Sequence, residues 1–240
     1  MAPSEHITWF DDNIAWFEAL TAEDLPAEVP ACPGWDVEHV VNHLAFGLGM
    51  AYPHALAAAP DALDDEAFAG VPWPTHYPTG SGALAAFSEH MGACRSAFRA
   101  ADPDEPCWTY AGAGVARFWF RRAAIETTLH RMDVAGALAM ADAPLPAERA
   151  GDAVAETIEF ALPLAASITG VSPPALSISI HADPATRKLG EGAATAQVSG
   201  SGETVLSALW GRGSGDLSID GEQEVVLAWL GLIERAFSGR

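Results

Sequence analysis

Apolar residues along the first 170 positions recur at helical spacing. Ile7, Phe10, Ile14, Phe17 and Leu20 follow a period close to 3.6 and predict a helix over 5–20. Val37, Val40, Val41, Leu44 and Leu48 form one stripe of a second helix over 36–58. Asp36 stands after Pro33-Gly34 where a cap is needed, and Pro53 is placed to kink or end the helix. Residues 60–80 break the pattern with Pro60, Pro72, Pro74 and Pro78 around Trp73 and Tyr77. So long a loop is expected to serve function. Helical spacing returns over 82–100, 116–140 and 147–168.

After Pro173-Pro174 the period drops to two. Leu176–Ile180, 194–198 and 216–219 read as strands. Residues 202–210 read as a helix closed by Gly211, and 222–236 as a final helix. The expected fold class is α+β: a helix bundle over 1–170 and a small α+β domain over 171–240.

Composition narrows the function. The chain has 240 residues, 12 Lys+Arg against 32 Asp+Glu, and a formal net charge of −20. That charge excludes binding by phosphate neutralisation, so no nucleic acid is expected, and it disfavours anionic membranes. No uninterrupted apolar run reaches the length of a membrane span. Cys32, Cys94 and Cys107 match neither a disulfide framework nor a paired-cysteine zinc pattern. The first residues lack the basic start and apolar run of a signal peptide, so the expected location is the cytoplasm. A monomer or a homodimer is compatible with these features.

The candidate chemistry lies in 117–133. Glu126 and His130 are four apart and share a helix face, with Trp119, Arg122 and Asp133 near the same stripe. A carboxylate and an imidazole so spaced reach one metal ion if another helix supplies a third ligand. The second helix offers His43, and His39 one turn before it. Two imidazoles and one carboxylate leave positions open on a divalent ion. The same spacing also suits an ordinary pair on a solvated helix face. His39, close to the helix start, is expected on the exposed rim, with His43 pointing inward. Asp133 has two readings, as a hydrogen-bond partner of a ligand imidazole or as a partner of Arg131 or Arg122. Cys32 reads first as a small loop residue, and second as a thiol with depressed pKa before a helix. Trp35 reads as a packing residue at the helix start. Trp73, Trp108 and Tyr110 are placed in loops.

Three segments carry a family resemblance. Ala31-Cys-Pro-Gly-Trp-Asp-Val-Glu-His-Val-Val-Asn-His43-Leu resembles the Gly-Trp…His-Leu segment of the mycothiol-dependent maleylpyruvate isomerase family, within the DinB-like superfamily of metal-binding four-helix bundles. Glu126-Thr-Thr-Leu-His130-Arg-Met-Asp133 is similar to its second motif, and Leu209-Trp-Gly-Arg212-Gly to a segment of its small C-terminal domain. The resemblance implies His43, Glu126 and His130 as metal ligands, zinc as the ion, mycothiol as a thiol cosubstrate, and Arg212 as an arginine lent to the active site. His39 departs from the family segment, which often has an acidic or other polar residue there.

The implied activity is that of a metal-dependent isomerase or thiol transferase acting on a small electrophile such as maleylpyruvate. Metal-held thiolate adds to an activated double bond, rotation follows, and elimination returns the trans isomer. Arg212 would hold a substrate carboxylate with paired hydrogen bonds. The net charge of −20 argues against a dianionic substrate unless the metal and Arg117, Arg121, Arg122 and Arg212 make a local positive spot. Two rival readings stand beside this one: a zinc-dependent hydrolase using activated water, and a non-catalytic binding module on the bundle scaffold.

Overall fold

A computed structural model describes the chain apart from residues 69, 141–142, 172–175, 181–185, 190–192, 214 and 238–240. The chain divides into two compact units, Ala2–Asp142 and Ala143–Arg240.

The first unit is the helix bundle. Helix α1 spans Pro3–Glu18. Helix α2 starts at Val37–Asn42, widens into π-helical turns over His43–Met50, and returns to α-helix over Ala51–Ala57. Asp36 caps it as expected, its carboxylate accepting from the His39 backbone N–H at 2.9 Å. Pro53 does not end this helix. Its missing N–H falls just beyond the π-helical turns, where the usual i→i−4 ladder is already relaxed. The long loop holds one turn of helix, α3, Asp64–Ala67. Helix α4 spans Ser81–Ala100 and α5 spans Arg117–Ala137.

Between α4 and α5 lies a hairpin that periodicity does not reveal. Strand β1 (Pro106–Thr109) pairs antiparallel with β2 (Gly112–Val115), Thr109 opposite Gly112. Gly112 takes φ +93°, a conformation that favours glycine, and Thr109 Oγ1 donates to its carbonyl at 2.8 Å. Trp108 therefore lies in a strand and is buried, and Tyr110 sits in the tight turn.

The four long helices meet through large side chains. Phe10 of α1, Phe98 of α4 and Phe120 of α5 form one run, with ring centroids 5.5 and 4.9 Å apart. Each such buried ring stabilises the fold by about 1.5–3 kcal/mol. Asn13 of α1 is fully buried. Its amide nitrogen lies 3.0 Å from the Ala124 carbonyl, and its oxygen accepts from Arg131 at 3.2 Å. This fixes α1 along α5, the helix that carries Glu126 and His130. Helix α2 approaches α4 so closely at Gly49 that a Cβ there would lie 2.9 Å from the backbone of His90.

The second unit begins with helix α6, Ala147–Glu156, which passes through π-helical turns over Thr157–Ala161 into Leu162–Thr169. A four-stranded sheet follows in the order β4-β3-β5-β6. Its strands are β3 (Leu176–Ile180), β4 (Thr186–Leu189), β5 (Ala196–Gly200) and β6 (Ser218–Gly221). Strands β3 and β5 run parallel, and the other pairs antiparallel. Helix α7 (Gly202–Leu209) joins β5 to β6, and Gly211 follows it at φ +75°. Helices α8 (Gln223–Leu230) and α9 (Leu232–Phe237) replace one expected helix, broken at Gly231.

Sequence patterning puts the domain boundary at 170. Contacts group α6 with the C-terminal unit instead, because its buried face is filled by that unit's helices. It packs on α7 and α9, and Trp210 Nε1 donates to Thr157 Oγ1 at 3.0 Å. The Pro173-Pro174 punctuation lies outside the described residues.

Candidate metal centre

The expected ligands converge inside the bundle. His43 opens the π-helical stretch of α2, and Glu126 and His130 lie one turn apart on α5. Glu126 Oε1 is 3.3 Å from His43 Nε2 and 3.5 Å from His130 Nε2. All three donor atoms lie within 4.8 Å of one another. A tetrahedral ion with bonds of about 2.0–2.1 Å requires donor separations of about 3.3–3.4 Å, so the set fits a zinc-like ion. The side chains are 33%, 17% and 8% exposed in the order His43, Glu126, His130. The opening is therefore on the His43 side.

The surrounding groups hold these donors in place. Arg122, one turn before Glu126, pairs with Oε2, which leaves Oε1 turned to the imidazoles. Burial raises the Glu126 pKa, but Arg122 and the hydrogen-bonded histidines outweigh it and hold the carboxyl well below its ordinary value. The His43 pKa is lowered, first by enclosure and then by the charges of His130 and Arg122, against the pull of Glu126. At His130, burial lowers the pKa, but hydrogen bonds to Asp133, Cys32 and Glu126 reverse the balance and raise it well above the usual value.

Trp35 does more than start the helix. Its ring lies 5.2 Å from that of His43 and stacks on His130 at 6.1 Å. Both imidazoles are thus covered on one side by an apolar face. Tyr52 of α2 is buried, with its ring 4.5 Å from Trp119. Its phenol is hydrogen-bonded to Arg122, while burial keeps its pKa well above the usual value.

His39 is exposed and bonded to Asp36 at 2.7 Å, so it belongs to the helix cap and stays outside the donor set. Asp133 meets His130 Nδ1 at 3.1 Å and the Cys32 thiol at 3.5 Å. The three form a second group of donors within 4.8 Å. Of the arginines expected to make a positive spot, Arg117 pairs with Asp104 and Arg122 with Glu126. Trp73 and Tyr77 are exposed in the long loop. Arg212 lies in the second unit, its guanidinium 5.6 Å from the Trp210 ring and donating to the Trp210 carbonyl at 3.2 Å. Spacing alone did not reveal the roles of Trp35 and Arg122. The i−4 position of Arg122 relative to Glu126 was the available signal for the second.

Fold and donor set define a helix bundle with an internal site of two imidazoles and one carboxylate. The chain belongs to the mycothiol maleylpyruvate isomerase N-terminal domain family, whose model matches residues 10–135. Two crystal structures share the α+β fold: the mycothiol-dependent maleylpyruvate isomerase and a histidine-to-alanine mutant of it. They are 16% and 15% identical, with TM-scores of 0.68, over 92% of this chain and 95% of theirs. No curated protein sequence matches the chain. No helix among the described residues is long and apolar enough to cross a membrane.

Proposed function

We propose that this protein is a metal-dependent enzyme that uses a low-molecular-weight thiol, mycothiol, to isomerise or add to a small electrophile of the maleylpyruvate type. The convergence of His43, Glu126 and His130 in a chain of this family carries the reading. A divalent ion, zinc by its donor set, would be held by these three side chains and would supply positive charge that stabilises a thiolate at neutral pH, well below the free thiol value of about 8.5.

The chain's own residues set the conditions for that chemistry. Arg122 holds one oxygen of Glu126, so the carboxylate offers a single oxygen to the ion. Trp35 shields the imidazole faces from water, which strengthens electrostatic interactions around them. The thiol comes from outside. Cys94 and Cys107 are buried, and burial raises the pKa of both. Arg212 is proposed to bind a substrate carboxylate through paired hydrogen bonds.

Elemental mass spectrometry of the protein beside H43A and H130A variants tests the site. One zinc per chain, lost in both variants while the fold is retained, is expected. Turnover of a cis-enedioate should then require added mycothiol. A protein that takes up no metal sinks the reading, and turnover without thiol replaces it with water activation.

A further inference from the structure

His130 has two working edges, and the proposed centre uses only one. Nε2 faces Glu126, while Nδ1 meets Asp133 Oδ2 at 3.1 Å on the other side of the ring. The same oxygen accepts from the Cys32 thiol at 3.5 Å. Asp133 follows His130 by three residues on α5, and its side chain is 1% exposed. Cys32 arrives from the turn before α2, 101 residues away in sequence. That turn also carries Trp35, which stacks on the same imidazole. Two elements distant in the chain therefore grip one ring from its edge and its face.

A carboxylate only accepts hydrogen bonds. Two carboxylates face the ring, and Asp133 Oδ2 at 3.1 Å from Nδ1 is nearer than Glu126 Oε1 at 3.5 Å from Nε2, so the single proton of a neutral His130 sits on Nδ1 and leaves the lone pair on Nε2. We propose that Cys32 and Asp133 are a positioning pair for His130. Asp133 fixes the tautomer whose bare Nε2 points at Glu126 and His43, and the Cys32 S–H, donating to the same oxygen, fixes the carboxylate. The inference rests on the metal-centre reading for what that lone pair serves. The tautomer itself belongs to the metal-free protein.

The test uses the full chain and two readouts. Long-range 1H–15N NMR of histidine-labelled, metal-free protein, titrated to a pH at which His130 has lost its second proton, reports the His130 tautomer, assigned against H130A. Competition with a chromogenic chelator reports zinc affinity. Wild type is expected to show Nδ1–H. D133N, close in shape, should lose that tautomer preference and bind zinc about 10–100-fold more weakly. C32A should weaken zinc about 2–10-fold, and C32S, which keeps a donor, should restore it. Thermal unfolding of each variant confirms that the fold persists. An Nε2–H tautomer in wild type overturns the proposal, as does a D133N protein with unchanged tautomer and affinity. A second zinc equivalent lost in C32S also overturns it, because the thiol would then be a ligand. A wild type that shows Nδ1–H, shifted in D133N, but binds no zinc would uphold the positioning pair and sink the metal centre alone.

Discussion

Asp36–His39 and Glu126–His130 look alike in sequence: a carboxylate, then an imidazole about one turn later. In the folded chain they part company. The Asp36–His39 pair caps the start of α2 in solvent, its imidazole 59% exposed and 2.7 Å from the carboxylate. Glu126–His130 lies in the middle of α5, on the face that meets α2, and His43 arrives from that facing helix. Spacing creates the pair in both places. What differs is position along the helix and the element packed against it. At a helix start, a short acid meets free backbone N–H groups and becomes a cap. In mid-helix no N–H is free, so the side chains must satisfy one another across the core.

The sharpest break of this comparison is Glu126→Ala. Arg122, with its side chain 5% exposed, would lose its carboxylate and stay buried as a cation. Breaking a buried pair on one side costs about 3–5 kcal/mol, here read from the urea midpoint of the metal-free protein. A loss below 1 kcal/mol would mean that Arg122 escapes to water, and the pair would then resemble the surface one. Replacing Asp36 with Ala should cost less, about 0.5–2 kcal/mol, through loss of the cap. It should leave zinc content at the wild-type level. If zinc falls as well, the cap also positions His43 seven residues on, and the two regions are coupled.

These contrasts also show what the sequence could carry. The helix spans were legible because each buries a stripe of apolar residues, small or large, at regular spacing. His43, Glu126 and His130 were legible as candidates because one pair shares a face and the motifs resemble a family. The hairpin at 106–115 was not, since its strands are four residues each and one reads Gly-Ala-Gly-Val. The π-helical turns leave no mark in apolar periodicity, although His43 stands at the start of one. Nor could spacing reveal that Cys32 and Asp133 meet, because that contact depends on how the turn before α2 folds against α5. The grouping of α6 with the C-terminal unit is of the same kind. Its amphipathic face predicts burial and says nothing of the partner.

Replacing His39 with Ala should matter less than either change above. An exposed ion pair contributes about 0–1 kcal/mol, so the thermal midpoint should barely move and zinc should stay bound. A loss of zinc in this variant would make His39 a ligand and erase the distinction drawn between the two pairs.

The smallest effect is a pH dependence confined to the exposed pair. Burial acts to raise the Asp36 pKa, but hydrogen bonds from the His39 backbone and side chain outweigh it and lower the pKa from 3.8. A carboxylate with a lowered folded pKa stabilises the native state at pH values above its unfolded pKa. That contribution fades as pH falls through the folded value, because the unfolded chain takes up its proton first. Asp36→Asn keeps an acceptor for the helix N–H but removes the titration. The stability gap between wild type and Asp36→Asn, followed by urea unfolding, should be constant above about pH 5 and close as pH falls below 3.8. A gap near zero at every pH would show that Asp36 acts as an acceptor and not through its charge. The cap would then differ from the buried pair in kind as well as in strength.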